Sequence, residues 1–191
     1  FDSYLVTLII SFFFGIVFFT FGKNAVKRIN FIEQLILIIF VYFLTSIFIS
    51  LPFYLSNYQV TFINSLFEAF SGITGTGFTI FENIKYLDPT LIIWRSSSQW
   101  IGGLYFLFFL ILIFSNKQFK FKMTDLTFSG DGNINSENNI KDLLLKIFVI
   151  YTSLSIMVFV LLNISEVRLF NSLNLTMSLV SNGGFLPTNS L

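Results

Sequence analysis

Two short segments rich in glycine and small polar residues interrupt a strongly apolar chain of 191 residues. Residues 71–80 read SGITGTGFTI, and residues 178–186 read SLVSNGGFL. Glycine reaches left-handed backbone dihedrals without a Cβ clash, and a loop with inward carbonyls can replace the hydration shell of a cation. The two segments therefore predict a cation filter built from backbone oxygens. Its candidate residues are Thr74, Gly75, Thr76, Gly77, Ser181, Asn182, Gly183 and Gly184.

The same glycines permit two other interpretations. The G-x-x-G-x-G pattern of residues 72–77 resembles a phosphate-binding loop, but such loops need a preceding strand, a following helix N-terminus and usually a lysine. None of these accompanies the pattern. The glycines could also serve only the close packing of membrane helices. That interpretation leaves unexplained why the pattern occurs twice, each time beside a segment too short to span a membrane.

Composition excludes several other functions. The chain has no cysteine and no histidine, so thiol nucleophiles, disulfides, the usual zinc sites and imidazole bases are absent. We therefore expect no enzymatic activity, no cofactor and no metal other than an ion at the filter. The net charge of +1 gives no support to a nucleic-acid partner.

The elements that must position these loops are apolar helices. Hydrophobic residues make up 54% of the chain and charged residues 11%, which indicates a lipid bilayer as the main solvent and partner. Since a membrane helix needs about 20 apolar residues, the sequence predicts an all-α integral membrane protein. Its four spans are residues 4–22, 32–53, 91–114 and 143–163. Pro52 marks the end of the second span, and an N-cap at Asp88 precedes the third.

Two shorter apolar segments, residues 60–72 and 167–180, immediately precede the glycine loops. Each is too short to cross about 30 Å of hydrocarbon as a helix. We expect them to be re-entrant pore helices, because non-helical backbone at membrane depth is tolerated where it lines a water-filled path. The partially negative C-terminus of each helix would then face the cation.

Basic residues predict the orientation in the membrane. Eight of the 11 lie on one side of the predicted spans and three on the other, so the positive-inside rule makes the basic side cytoplasmic. Residues 56–90 and 164–191, with the pore loops, then face outward. The eight are Lys23, Lys27, Arg28, Lys117, Lys120, Lys122, Lys141 and Lys146, and the three are Lys85, Arg95 and Arg168.

An internal repeat links the two loops. When the sequence is shifted by 107 residues, seven of the nineteen positions of residues 60–78 match residues 167–185. Such self-similarity is the signature of a repeated structural unit, here a helix, a short pore helix, a glycine loop and a second helix. The matching residues are Val60, Asn64, Ser65, Leu66, Ser71, Gly77 and Phe78.

Three segments carry a family resemblance: FEAFSGITGTGFTI, WRSSSQWIGGL and SLVSNGGFLPT, in this order along the chain. They resemble the Trk/Ktr/HKT superfamily of potassium transporters, in particular its TrkH-type membrane subunit. The resemblance implies potassium transport through a pore surrounded by four helix–pore loop–helix units, with Gly77 and Gly184 as filter glycines. It further implies an inner-membrane location, a homodimer and a cytoplasmic nucleotide-binding regulatory partner. A permease for another solute, with loops that serve packing, is the alternative.

The resemblance also divides the chain. Residues 1–31 are expected to hold a transmembrane helix of a leading hairpin and a basic cytoplasmic loop, and residues 32–114 the first repeat. Residues 115–142 would be a cytoplasmic connector; its spacing of Asp and Asn is close to that of a calcium loop but lacks the required Gly and final Glu. Residues 143–191 would be the first half of a second repeat. Since the sequence starts at Phe1 and stops at Leu191, we expect a longer protein.

Two features of the third span remain open from the sequence. Arg95 could extend its charge to the lipid headgroups, or it could pair with Glu68 on the first short helix and hold the filter loop in place. The pair Gly102 and Gly103 is expected to serve helix packing rather than ion binding.

Overall fold

The computed structural model describes residues 2–23, 30–114 and 137–188. Within these ranges the chain is helical and contains no strand. The helices are α1 (Asp2–Gly22), α2 (Phe31–Tyr54), α3 (Phe62–Ile73), α4 (Pro89–Phe114), α5 (Glu137–Ile164) and α6 (Leu169–Ser181). Of these, α1, α2, α4 and α5 are long and apolar enough to cross a membrane. The predicted all-α membrane architecture with four spans is confirmed.

The helix boundaries lie within two residues of the predicted ones except at the start of α5. Helix α2 runs to Tyr54 and includes Pro52, because the amides after the proline still find acceptors: Leu55 N donates to Leu51 O over 2.9 Å. Helix α5 begins at Glu137, before the predicted start at residue 143. Hydropathy marks only the part of a helix that lipid can surround, so the polar first turns of α5 gave no signal.

Several predictions fall on residues outside the described ranges. They concern the basic residues Lys27, Arg28, Lys117, Lys120 and Lys122 and most of the connector, including its calcium-loop-like positions up to residue 136. The last residues of the predicted connector, 137–142, belong to α5.

Helix α4 starts with the predicted cap. The Asp88 carboxylate accepts hydrogen bonds from Thr90 N at 2.9 Å and from Thr90 Oγ1 at 2.7 Å, and Pro89 occupies the first helical position, where no N–H is needed. The hydrogen bonds from the Thr90 side chain and backbone hold the pKa of Asp88 below its usual range. The start of α4, and so the register of every residue on it, is fixed by this cap.

Helix α4 lies at the centre of the molecule. It packs against α2 and α3 on one side and against α5 and α6 on the other, while α1 packs against α2. The main apolar core lies between α2, α3 and the start of α4, where Phe53 and Ala69 are fully buried and Leu91 nearly so. The large apolar residues of α1 are mostly exposed, as expected of a helix that faces lipid.

The backbone repeats itself at the same offset as the sequence. The described residues with positive φ form three pairs, and the two members of each pair are 107 residues apart. Backbone hydrogen bonds follow the offset too: Thr76 N donates to Ser71 O over 3.0 Å, and Gly183 N donates to Ser178 O over 2.9 Å. The φ pairs are Gln59 (51°) with Glu166 (61°), Gly75 (68°) with Asn182 (57°), and Gly77 (77°) with Gly184 (79°).

Candidate cation-binding site

The eight predicted filter residues lie in two loops that contact each other: the first loop, residues 74–78, and the second loop, residues 181–185. A Cβ built on Gly77 would lie 2.5 Å from Gly183 O and 3.4 Å from Gly184 Cα. A Cβ built on Gly184 would lie 3.8 Å from Gly77 Cα. The glycines that the repeat paired in sequence are therefore neighbours in space, and a side chain on Gly77 would force the loops apart.

Each loop begins where a short helix ends. The chain leaves α3 and α6 through a left-handed residue, Gly75 in the first loop and Asn182 in the second. Glycine adopts this conformation freely, and asparagine is among the few other residues that tolerate it. The amides of both residues return to the helix, with Gly75 N donating to Gly72 O over 3.0 Å and Asn182 N to Leu179 O over 3.1 Å.

The threonine hydroxyls of the first loop are already hydrogen bonded. Thr74 Oγ1 donates to Phe70 O over 2.6 Å, and the hydroxyl oxygens of Thr74 and Thr76 are 2.7 Å apart. Across the described residues, no cluster of three His, Cys, Asp or Glu side chains could hold a metal ion. The residues of the two loops thus offer neutral oxygens, those of the backbone and of the hydroxyls.

The two loops separate two cavities. One, of about 390 Å³, is lined by the helix-proximal residues Thr74, Gly75, Ser181 and Asn182 together with Gly103 of α4. The other, of about 240 Å³, is lined by residues at the far end of the loops and beyond. These include Gly77, Thr79, Gly184, Phe185 and Thr188. Residues of both loops thus border space on either side of their contact.

A buried ion pair fastens the chain after the first loop. Arg95 Nε lies 2.7 Å from Glu68 Oε1, and the two side chains are 1% and 0% exposed. Glu68 also accepts hydrogen bonds from Thr79 Oγ1 at 3.0 Å and Ile80 N at 2.9 Å, while Arg95 Nη2 donates to Thr79 Oγ1 over 3.0 Å. Of the two interpretations of Arg95, the structure agrees with the one in which it pairs with Glu68. Its side chain is buried in the protein and does not extend toward the lipid headgroups.

The same face of α4 also holds the second loop. Arg95 Cζ lies 4.3 Å from the centroid of the Phe185 ring, a cation–π distance. One turn later, Gln99 Nε2 donates to Gly183 O and Gln99 Oε1 accepts from Phe185 N over 3.1 Å. Sequence reasoning missed Gln99, Thr79 and Phe185. The available signal was a second polar residue four positions after Arg95, which places both on one face of a membrane helix.

Small residues let α4 approach the ends of both short helices. A Cβ on Gly102 would lie 2.0 Å from Ile73 O at the end of α3, and one on Gly103 would lie 3.0 Å from Ser181 Cα at the end of α6. The predicted packing role of Gly102 and Gly103 is confirmed by these contacts. Gly72 meets α4 in the same way, since a Cβ there would lie 2.2 Å from Ser98 Oγ.

Comparison with known proteins decides the family. The family model described as TrkH, a cation transport protein, matches residues 8–191. The chain belongs to the TrkH family. With its four membrane-capable helices, it is a multi-pass membrane protein of a cation-transport family, as the three sequence segments had indicated.

Individual relatives agree with this assignment. The chain is 28% identical over 144 residues, 73% of its length, to an uncharacterized cation transporter, MJ1485, of Methanocaldococcus jannaschii. It is 44% identical over 59 residues, 31% of its length, to the Trk system potassium uptake protein TrkI of Halomonas elongata. It is 36% identical over 73 residues, 38% of its length, to the Trk system potassium uptake protein TrkG of Escherichia coli. The matches cover 29%, 12% and 15% of these relatives, so the matched parts of the chain span less than a third of their length.

Proposed function

We propose that this protein transports potassium ions across the cell membrane and that its two glycine loops form part of the selectivity filter. The observation that carries the proposal is the contact between Gly77 and Gly184, two left-handed glycines related by the repeat and lying between two cavities. The names of TrkI and TrkG, two potassium uptake proteins, support potassium as the ion.

The electrostatics of the loops suit a monovalent cation that must bind to the filter and then leave it. Helices α3 and α6 both end at the loops, at Ile73 and Ser181, so the partially negative ends of two helix dipoles meet there. The nearby carboxylate of Glu68 is neutralised by Arg95. Within the described loop residues, partial charges without a carboxylate side chain favour a cation without trapping it, as conduction requires.

The eight residues of the two loops are the proposed ion site, with potassium as the only metal ion and no cofactor. The backbone carbonyls of the loops are the proposed ligands, while the threonine side chains of the first loop are held by hydrogen bonds to Phe70 O and to each other. The Gly183 carbonyl is shared with Gln99. Glu68 and Arg95 are proposed to support the filter, since they fix Thr79 and Ile80 beyond the first loop and contact Phe185 beyond the second.

The placement in the membrane follows from helix length and charge. Helix α3 has 12 residues, about 18 Å at 1.5 Å per residue, and cannot cross a hydrocarbon core of about 30 Å. We assign α3 and α6 as re-entrant pore helices that enter from the outer side of the inner membrane, with the basic loops in the cytoplasm. Family resemblance adds a homodimer and a cytoplasmic nucleotide-binding regulatory subunit to the proposal.

Selective uptake by the full-length protein tests the filter. In cells deficient in potassium uptake, we expect Gly77→Ser and Gly184→Ser to lower the preference for K⁺ over Na⁺ by about tenfold, ~1.4 kcal/mol. The reason is that both positions have φ near +80°, where a side chain is strained. The measurement is K⁺ uptake in competition with Na⁺, normalised to the protein present in the membrane.

The matched control is Gly15→Ser on α1, where a Cβ would meet nothing within 4 Å. It should retain the selectivity of the unmodified protein. Unchanged selectivity in both loop variants, with normal amounts in the membrane, would contradict the filter and favour a packing role in a permease for another solute.

A further inference from the structure

The side-chain amide of Gln99 lies against the backbone of the second loop. Its Nε2 donates to Gly183 O and its Oε1 accepts from Phe185 N over 3.1 Å, so one amide binds the carbonyl and the N–H on either side of Gly184. Gln99 is 0% exposed. Both ends of this buried amide are hydrogen bonded to one backbone segment. The amide therefore restrains the rotation of the peptide groups in that segment, because breaking either hydrogen bond leaves a buried polar group unpaired.

This contact explains why residue 183 is glycine. The positive-φ glycines of the described chain are Gly75, Gly77 and Gly184, so the backbone dihedral of Gly183 does not require glycine. Glycine is required here because there is no space for a side chain: a Cβ on Gly183 would lie 2.3 Å from Gln99 Cδ. The amide of Gln99 occupies the position that the side chain of any other residue would need.

The repeat shows that the two loops are held differently. The first loop is fastened through Glu68 on its own short helix, which accepts from Thr79 and Ile80. At an offset of 107, the residue that corresponds to Glu68 is Leu175, whose side chain has no hydrogen-bonding group. The second loop therefore cannot be held in the same way, and its backbone is instead bound by Gln99.

We infer that Gln99 is a positioning residue that sets the conformation of the second loop and thereby the ion selectivity of the pore. The inference rests on the proposed filter function. Discrimination between K⁺ and Na⁺ depends on the number and placement of carbonyl dipoles around the ion. Gln99 fixes the peptide groups that flank Gly184, which lies against Gly77 of the first loop. Without it, these dipoles lose a fixed orientation.

The test replaces Gln99 in the full-length protein and measures K⁺ uptake in competition with Na⁺. In Gln99→Glu the ionised side chain still accepts from Phe185 N but cannot donate to Gly183 O. The uptake is therefore measured at a pH high enough to keep the carboxyl ionised and is compared with Gln99→Met, which cannot donate at any pH. We expect the K⁺ over Na⁺ preference to fall about tenfold while the protein still reaches the membrane. Ser97→Ala is the control on the same helix, since Ser97 contacts Met177 rather than the loops, and it should keep the original selectivity.

A second pair of variants separates this effect from misfolding. Gln99→Met keeps the size of the side chain, removes both hydrogen bonds and adds no charge, so it gives the same test if Gln99→Glu does not accumulate. Gly183→Ala should impair transport when Gln99 is present and be tolerated beside Gln99→Ala, which removes the clash. Additive effects of these two substitutions would contradict the inferred contact.

The outcome also separates this inference from the filter proposal. If the Gly77→Ser and Gly184→Ser variants lose selectivity but Gln99→Glu and Gln99→Met keep it, Gln99 is not a positioning residue and the filter proposal stands. If none of the four variants changes selectivity, the filter proposal itself fails.

Discussion

At the scale of single residues, the proposed site contains a buried ion pair. Either charge alone would be energetically costly in the interior of a membrane protein. Glu68 and Arg95 are almost fully buried, and each has further partners besides the other: Thr79 bonds to both, and Phe185 lies beneath the guanidinium. A buried pair of this kind adds little net stability compared with apolar residues, but removing one partner leaves an uncompensated charge. We propose that the pair specifies one arrangement of the chain around both loops.

Replacing one partner should therefore lower the free energy of unfolding more than replacing both partners does. Arg95→Gln is expected to lower the free energy of unfolding by about 3–5 kcal/mol, because the Glu68 carboxylate then stays buried and unpaired. The double variant Glu68→Gln with Arg95→Gln should recover part of the loss. Thermal unfolding of the purified full-length protein in detergent measures both.

Lys85→Gln is the control for this comparison, since it removes a positive charge from an exposed position outside the long helices. It should change the unfolding temperature little. An Arg95→Gln variant as stable as the control would show that the pair does not hold the loops.

At the scale of elements, helix α4 is the scaffold shared by both loops. It follows the first loop in sequence and contacts the second in space, through Arg95 and Gln99, and it meets the ends of α3 and α6 at Gly102 and Gly103. Its cap at Asp88 fixes the register of these residues. A displacement of α4 would consequently move both loops together.

The close approach of α4 to α3 should be sensitive to one methyl group. In Gly102→Ala the new Cβ would lie 2.0 Å from Ile73 O, which is backbone and cannot rotate away. We expect a destabilisation of about 1–3 kcal/mol, typical of overpacking, together with reduced uptake. The measurements are thermal unfolding and K⁺ uptake of the same preparation.

Gly15→Ala is the control, because it adds the same methyl group at a glycine that has free space around it. No atom lies within 4 Å of a Cβ at that position on α1, and alanine has the better helix propensity by about 1 kcal/mol. This variant should be as stable as the original protein or more so. Equal behaviour of the two alanine variants would argue against a tight contact at Gly102.

The sequence predicted those parts of the fold that depend on local signals. Hydropathy located the four spans, Asp88 and Pro89 located the start of α4, and the repeat paired Gly77 with Gly184. The spacing of Arg95 and Gln99 indicated a shared polar face, but it could not predict the partner of Gln99, Gly183, which is 84 residues away, because a glutamine in an apolar helix carries no local sign of what it binds. The sequence also left the position of Arg95 open, because an arginine can either extend its charge to the lipid headgroups or pair with a buried carboxylate such as that of Glu68.

At the scale of the whole molecule, the described helices form two related halves around α4. One half is α2, α3 and the first loop; the other is α5, α6 and the second loop. Helix α1 packs against α2 and presents most of its apolar surface outward. In the proposed topology the chain enters α3 and leaves toward α4 on the outer side of the membrane.

The orientation can be tested with two matched lysines. Lys23 follows α1 and Lys85 precedes α4, and both are exposed. In a full-length protein without other cysteines, we expect a membrane-impermeant maleimide added to intact cells to label Lys85→Cys but not Lys23→Cys. Lys23→Cys should react after permeabilisation. Labelling of both from the outside, or of Lys23→Cys alone, would contradict the proposed topology.

The pairing of Gly75 with Asn182 and of Thr76 with Gly183 has a consequence for how the two halves diverged. If one ancestral unit was duplicated, each copy kept the backbone dihedrals while its side chains drifted under different neighbours. Position 75 and its counterpart both require a residue that tolerates a left-handed turn. Position 76 and its counterpart are not interchangeable, because a threonine side chain placed at position 183 would meet the amide of Gln99.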